Sequence, residues 1–154
     1  DLTASGHHLG RGLNRYIYTP MFLRSMKPNA LKKLAQYPDL FDKQAMLASN
    51  DLYAFDNAFT APLHGFKNTE DYWTRASAKP HMHSIRVPAL AINALNDPFI
   101  PPSSLPRSHE VGSFVKLWQP KRGGHVGFGS DYLKQFPGHL QLLPRQVADF
   151  FHHG

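Results

Sequence analysis

Twelve residues in the second half of the chain constrain its fold most strongly, and they read Val-Pro-Ala-Leu-Ala-Ile-Asn-Ala-Leu-Asn-Asp-Pro at positions 87–98. No charged residue interrupts the run before Asp97, and a proline stands near each end. A strand that helices cover on both faces of a parallel sheet is apolar throughout and does not alternate. The run therefore predicts a buried parallel strand that ends on Asp97. Ligands and catalytic groups gather at the carboxyl ends of such strands, which makes Asp97 a candidate functional residue.

His125 follows a second strand candidate in the same way that Asp97 follows the first. The segment 113–118 leads to a glycine-rich run, Gly-Gly-His-Val-Gly-Phe, at positions 123–128. Glycines around a histidine indicate a backbone that turns sharply and leaves room for a substrate. Because the carboxyl ends of neighbouring parallel strands lie at one edge of a sheet, we expect Asp97 and His125 to meet there.

Three motifs in this order resemble the YheT-type α/β-hydrolases. They are the strand with its acid at 89–101, the histidine motif at 123–128, and Thr-Ala-Pro-Leu-His-Gly-Phe at 60–66. That family includes bacterial predicted esterases, yeast medium-chain ethyl ester synthases and animal lipid hydrolases, and the resemblance covers nearly the whole chain. It implies a Ser-Asp-His triad in which Asp97 is the acid and His125 is the base.

The resemblance predicts an α/β fold that is only the C-terminal part of an α/β-hydrolase. Residues 1–84 are then the helical cap segment with its connections, and residues 85–154 are the core segment with the last two parallel strands and the final helix. None of the ten serines has glycine both two positions before and two positions after it, as the family's nucleophile requires. Ser130 comes nearest, but it follows His125 in the chain. We therefore expect the nucleophile half to be absent and this chain alone to be inactive.

Helical periodicity dominates the first half of the chain. Apolar residues recur at spacings of three and four over 13–26, which predicts a helix. We expect Pro20 to kink or restart this helix and Pro28 to end it, because proline lacks the N–H that an interior position donates. Asn29 then becomes a plausible N-cap for a second helix over 30–37.

Three other segments complete the expected order of elements. Residues 1–12 are polar, contain glycine and predict a loop. A helix should begin near Thr69, where Thr69 or the preceding asparagine caps it and two acids favour the first turn. A last amphipathic helix is expected within 138–153, with its regular part starting at Pro144.

The sequence contains only two convincing strands, fewer than the roughly 5–6 of an average sheet. Two parallel strands with one or two helices leave apolar faces and edges uncovered. We therefore expect the chain to need the missing N-terminal half of the hydrolase, or a second copy of itself, as a partner.

The histidines outside the glycine-rich run do not predict a metal site. His7 and His8 are adjacent, and His81 and His83 lie on one side of an extended segment, but no third ligand stands at a suitable spacing. We expect no metal and no cofactor. His64 in the 60–66 motif is interpreted as a residue that fixes a loop.

Composition narrows the remaining classes of function. The chain has no cysteine and therefore no thiol nucleophile, which is compatible with a cytoplasmic protein, the location we expect. The net charge is +6, with only two adjacent pairs of cations. Nucleic-acid binders cluster their charge on a recognisable module, so no nucleic acid is expected. A basic solvated surface is the first interpretation, and peripheral contact with an anionic membrane is the second.

Taken together, these features predict a carboxylic ester hydrolase whose substrate is a small-molecule or lipid ester. Two alternatives remain open at this point. The chain could be a non-catalytic interaction module that keeps remnants of the fold, or the same triad could serve an acyltransferase, with an alcohol in place of water. Fold alone does not decide the substrate.

Overall fold

The structure is a computed structural model and describes residues 1–129 and 141–153. The chain divides into two compact units, Asp1–Ser77 and Ala78–Gly154, which we call the N-terminal and the C-terminal unit. The cap and core roles that the sequence predicts for 1–84 and 85–154 stay predictions.

The N-terminal unit is helical. Its α-helices are α1 (Leu2–Leu9), α2 (Gly12–Gln36), α3 (Lys43–Ala48), α4 (Leu52–Phe55), α5 (Ala61–Leu63) and α6 (Thr69–Ala76), and a π-helical turn at Asp56–Thr60 joins α4 to α5.

Helix α1 corrects the prediction of a loop over 1–12. The side chain of Asp1 accepts the backbone N–H of Ala4 at 3.0 Å and so caps the first turn. Gly6 lies inside the helix, where a Cβ atom would collide with the ring of Trp73. The glycine that indicated a loop therefore allows α1 and α6 to pack closely.

Helix α2 corrects the prediction of a break at Pro28. It continues as one helix through Pro20 and Pro28 to Gln36. The side chain of Asn29, which we expected to cap a new helix, donates instead to the Ser25 carbonyl at 3.1 Å. A proline weakens a helix locally, but burial of apolar residues on both sides of it can outweigh that loss.

That burial occurs in the core of the N-terminal unit. Leu23 and Ala30 of α2 pack with Met46 of α3 and Phe55 of α4, and all four side chains are buried. Leu23 precedes Pro28 in the chain and Ala30 follows it, so the same cluster holds the helix on both sides of Pro28. Packing across the unit thus decides the conformation at Pro28.

Asp56 has a structural role within the N-terminal unit. Its carboxylate accepts the Thr60 hydroxyl at 2.6 Å and the Trp73 indole N–H at 2.7 Å. Burial raises the pKa of Asp56, and these two hydrogen bonds only partly oppose that effect. Helix α6 begins at Thr69 as predicted, with the Asn68 side chain accepting the N–H of Asp71 at 2.9 Å.

The C-terminal unit contains a small parallel sheet. Its elements are a 3₁₀ turn at Lys79–Ser84, strand β1 (Ala89–Ile92), 3₁₀ turns at Pro102–Ser104 and Ser108–Glu110, strand β2 (Val115–Trp118) and helix α7 (Leu142–His153). The two strands pair in parallel, with Ala89 opposite Val115 and Ile92 opposite Trp118. The predicted pair of parallel strands is therefore confirmed.

Strand β1 is shorter and less buried than the sequence predicts. Regular pairing ends at Ile92, and the residues of β1 are half-buried. Backbone pairing nevertheless continues, because Asn93 donates to the Trp118 carbonyl at 3.1 Å and Leu95 donates to the Pro120 carbonyl at 2.8 Å. Pro120 has no N–H and cannot donate a hydrogen bond to the β1 segment, so a regular ladder does not continue beyond that point. Asp97 thus follows the last paired residue and does not end the strand.

The 3₁₀ turn at Lys79–Ser84 corrects the prediction of an extended segment through His81 and His83. Within residues 1–129 and 141–153, no group of three or more His, Cys, Asp or Glu is placed to hold a metal ion. In the same ranges, no helix is both long enough and apolar enough to cross a bilayer.

Helix α7 begins at Leu142, close to the predicted start at Pro144. Pro144 falls in the first turn, where a backbone N–H has no partner inside the helix, so its absence is harmless. Residues 138–140 of the predicted segment lie outside the described residues, as does Ser130.

Candidate active site

Asp97 lies in a tight turn just after the paired part of the β1 segment. Its own N–H donates to the Ala94 carbonyl at 3.2 Å, and its Oδ1 accepts the N–H of Phe99 at 2.8 Å. An aspartate that accepts the N–H two residues ahead closes a local turn and loses freedom of orientation. The side chain is only 2% exposed. The turn therefore holds a desolvated carboxylate in one orientation.

His125 lies against that carboxylate. Its Nδ1 is 2.8 Å from Asp97 Oδ2, although 28 positions separate the two residues in the chain. Because an ionised carboxylate only accepts, the proton between the two groups belongs to Nδ1. The neutral imidazole then carries its lone pair on Nε2. The side chain is 46% exposed, so the ring can meet a reacting group while its partner stays buried.

The ring of Phe99 restricts the imidazole further. The Phe99 ring packs against His125 with 4.6 Å between ring centroids and 58° between ring planes. Phe99 thus contributes twice, through its N–H to Asp97 and through its ring to His125. This one residue therefore helps to position both members of the pair.

The loop that carries His125 is fastened to the turn that carries Asp97. Asn96 Oδ1 accepts the N–H groups of Gly123 and Gly124 at 2.8 and 3.0 Å. Gly124 has φ of +62°, in the left-handed region that favours glycine. At Gly123, a Cβ atom would lie 2.7 Å from the Ala94 side chain, so only glycine allows the two segments to approach this closely.

The far side of the histidine loop is anchored by Phe128. Its ring stacks on Trp118, the last residue of β2, with centroids 5.4 Å apart. Its N–H donates to the Gly123 carbonyl at 2.7 Å, which closes the loop around His125. The histidine is therefore held at one end by Asn96 and at the other end by the sheet.

Asn96, Phe99 and Phe128 are not among the site residues that the sequence predicts. A signal for two of them exists in the sequence. An Asn-Asp pair directly before proline is typical of turns in which side-chain oxygens accept nearby N–H groups, which suggests Asn96 and the N–H of Phe99 as partners. The packing of Phe128 on Trp118 has no local signal.

The structure brings together the two residues that the sequence singled out, but it adds no nucleophile. Across the part of the chain that the structure describes, no serine hydroxyl bonds to His125. His64 is exposed and lies in the N-terminal unit, at the end of α5. The described site thus consists of an acid and a base without the group that they would activate.

An acid–imidazole pair on loops that follow parallel strands is typical of hydrolases with an α/β fold, and relatives of that class are found. The predicted esterase YheT of Escherichia coli is 35% identical over 129 residues, which are 82% of this chain and 38% of YheT. Phospholipase ABHD3 of Mus musculus is 27% identical and covers 81% of this chain and 31% of its own. A monoacylglycerol lipase of Saccharomyces cerevisiae is 32% identical over a region that covers 71% of this chain and 25% of the lipase.

The chain belongs to the YheT-type α/β-hydrolases, as its three motifs predicted. It spans only 25% to 38% of the length of these three relatives. No protein-family model matches the chain, and no solved structure matches it significantly.

Proposed function

We propose that this chain supplies the acid and the base of a carboxylic ester hydrolase with a Ser-Asp-His triad. Asp97 is the acid, His125 is the base, and the serine belongs to a segment outside residues 1–154. The 2.8 Å contact between a buried carboxylate and a half-exposed imidazole carries this proposal. We use "complete hydrolase" for the assembly of this chain with that nucleophile segment, in one polypeptide or two.

In the first half of the reaction, Nε2 of His125 takes the proton from the serine hydroxyl as its oxygen attacks the ester carbonyl. The tetrahedral intermediate then collapses, the bond between carbonyl carbon and alkoxy oxygen breaks, and Nε2 returns the proton to the leaving alcohol. An acyl-serine ester remains. N–H groups of the nucleophile segment stabilise the oxyanion in this scheme.

In the second half, water replaces the alcohol. Nε2 takes a proton from water as its oxygen attacks the acyl-serine carbonyl, and then returns it to the serine oxygen. The products are a carboxylic acid and the regenerated serine. An acyltransferase differs only in that an alcohol is the acceptor in this step.

Asp97 acts throughout by stabilising charge and orientation. Each half-reaction makes an imidazolium, and a carboxylate 2.8 Å from Nδ1 stabilises that cation most strongly where water is excluded. The hydrogen bond from Phe99 to Oδ1 and the attachment of the histidine loop by Asn96 keep the distance short. We assign these two as positioning residues.

The names of the relatives support an acyl ester as the substrate. They comprise a predicted esterase, a phospholipase and a monoacylglycerol lipase, and all three names denote enzymes that act on ester bonds. We propose that the C-terminal unit is part of the catalytic core and that the N-terminal unit is a helical cap. A water-mediated reaction is favoured because these names denote hydrolases.

A fluorophosphonate probe, which modifies only activated serines, tests where the nucleophile lies. We expect the complete hydrolase to bind one equivalent of probe on a serine outside residues 1–154, located by peptide mass spectrometry. The 154-residue chain alone and heat-denatured complete hydrolase are the controls, and both should stay unlabelled. Labelling of a serine within 1–154, or no labelling of the complete hydrolase, would contradict the proposal.

A further inference from the structure

One side of helix α2 exposes large apolar residues to solvent. Leu13, Tyr16, Ile17 and Met21 recur at helical spacing and are 76%, 76%, 56% and 53% exposed. Later residues of the same helix, Leu23 and Ala30, are buried in the core. The exposed residues contribute little burial to the N-terminal unit, and a continuous row of exposed apolar side chains indicates an interaction surface.

The same region carries the whole net charge of the chain. Residues 2–38 contain six Arg and Lys and no Asp or Glu, whereas cations and acids are equal in number over the rest of the sequence. A solvated surface normally mixes both signs, as the remainder of this chain does. A segment of 37 residues without one acid therefore indicates an anionic partner.

Some of these cations already have partners within the N-terminal unit. Arg15 pairs with Asp51 at 3.6 Å, Lys27 donates to the carbonyls of Leu47 and Ser49, and Lys33 lies over the Tyr37 ring. These groups explain part of the charge as ordinary surface structure.

Two cations extend the apolar row instead. Arg24 and Lys32 are exposed; Arg24 follows Met21 by three residues, and Lys32 lies two turns further along the helix. The exposed side of α2 is thus apolar over its first turns and basic over its later turns. We call these residues (Leu13, Tyr16, Ile17, Met21, Arg24 and Lys32) the α2 surface.

We propose that the α2 surface docks the protein onto an anionic lipid bilayer, with α2 lying in the plane of the interface. Apolar side chains of such a helix enter the boundary between headgroups and acyl chains, and the cations remain at the level of the phosphates. The positive charges of Arg24 and Lys32 complement the negative charge of an anionic leaflet. This inference concerns binding alone and does not depend on the proposed catalysis.

Sedimentation of the 154-residue chain with vesicles tests this inference. We expect binding to vesicles of phosphatidylcholine and phosphatidylserine in equal parts, weak binding to phosphatidylcholine alone, and loss of binding as salt screens the charges. Each cation near an anionic surface strengthens binding about fivefold, so Arg24→Glu with Lys32→Glu should weaken it by tenfold or more. Lys43→Glu reverses one charge at an exposed site on α3, and it should weaken binding much less than either single change, Arg24→Glu or Lys32→Glu.

The apolar part of the α2 surface is tested separately. Ile17→Glu with Met21→Glu should also weaken binding at least tenfold, whereas Val87→Glu, at an exposed apolar site in the C-terminal unit, should leave it nearly unchanged. Unaltered circular dichroism would show that the variants fold. Equal binding to both vesicle types, or no loss in the α2 variants, would overturn the inference. A second result would also overturn the inference. If the unmodified chain formed a dimer that these variants abolished, and did not bind vesicles, the α2 surface would bind a second copy of the chain and not a bilayer.

Discussion

Replacing Asp97 by asparagine is expected to lower kcat of the complete hydrolase about 10⁴-fold. Asparagine can keep the hydrogen bond from the Phe99 N–H through its carbonyl oxygen, so the turn should survive. Its NH₂ group would then face Nδ1 of His125, which must accept instead of donate. The proton of the neutral imidazole moves to Nε2, the nitrogen that should take the serine proton. The turn and the position of His125 are then unchanged, but Nε2 can no longer accept the serine proton.

Asp149→Asn is the matched control for this prediction, because it removes one negative charge from an exposed position on α7. Its kcat for p-nitrophenyl esters should stay within about twofold of the unmodified enzyme, in line with a surface change. Both variants should melt at similar temperatures. A kcat for Asp97→Asn within tenfold of the unmodified enzyme would show that the carboxylate does not set the tautomer of His125.

Replacing Phe55 by alanine is expected to lower the free energy of unfolding by about 3–5 kcal/mol. Phe55 is 1% exposed, packs with Leu23, Ala30 and Met46, and contacts the Phe59 ring at 5.3 Å between centroids. Removing the ring leaves a cavity at the point where α2, α3 and α4 meet. Because small proteins are stable by only about 5–15 kcal/mol, this one change should approach the limit for a stable fold.

Urea unfolding of the 154-residue chain measures this loss. Leu13→Ala is the control, because Leu13 is 76% exposed and its truncation should change stability by less than about 0.5 kcal/mol. A loss below about 1 kcal/mol for Phe55→Ala would mean that the cluster does not hold α2 together across Pro28. The explanation of the continuous helix would then be wrong.

The order of the site residues was predictable from sequence because it depends on local rules. An uncharged run before Asp97 indicates a strand, glycines beside His125 indicate a sharp turn, and both residues follow strands that pair in parallel. Parallel strands place the following loops at one edge, so the expected meeting of the two side chains is observed. Their catalytic roles remain part of the proposal.

The errors occurred where distant residues override local preference. Pro28 ends helices on average, yet the cluster around Phe55 keeps α2 intact. Gly6 indicates a loop, yet Trp73 from another helix occupies the space that a side chain would need. The extent of β1 depends on Pro120, which lies just after β2, the strand that pairs with β1. None of these contacts can be derived from residues that are adjacent in sequence.

The most direct test of the central claim is the turnover of a p-nitrophenyl ester by the complete hydrolase before and after His125→Ala. His64→Ala, which truncates an exposed histidine of the N-terminal unit, is the control. We predict a loss of about 10⁴-fold or more for His125→Ala and little change for His64→Ala. Turnover that survives His125→Ala within tenfold would contradict the assignment of His125 as the base.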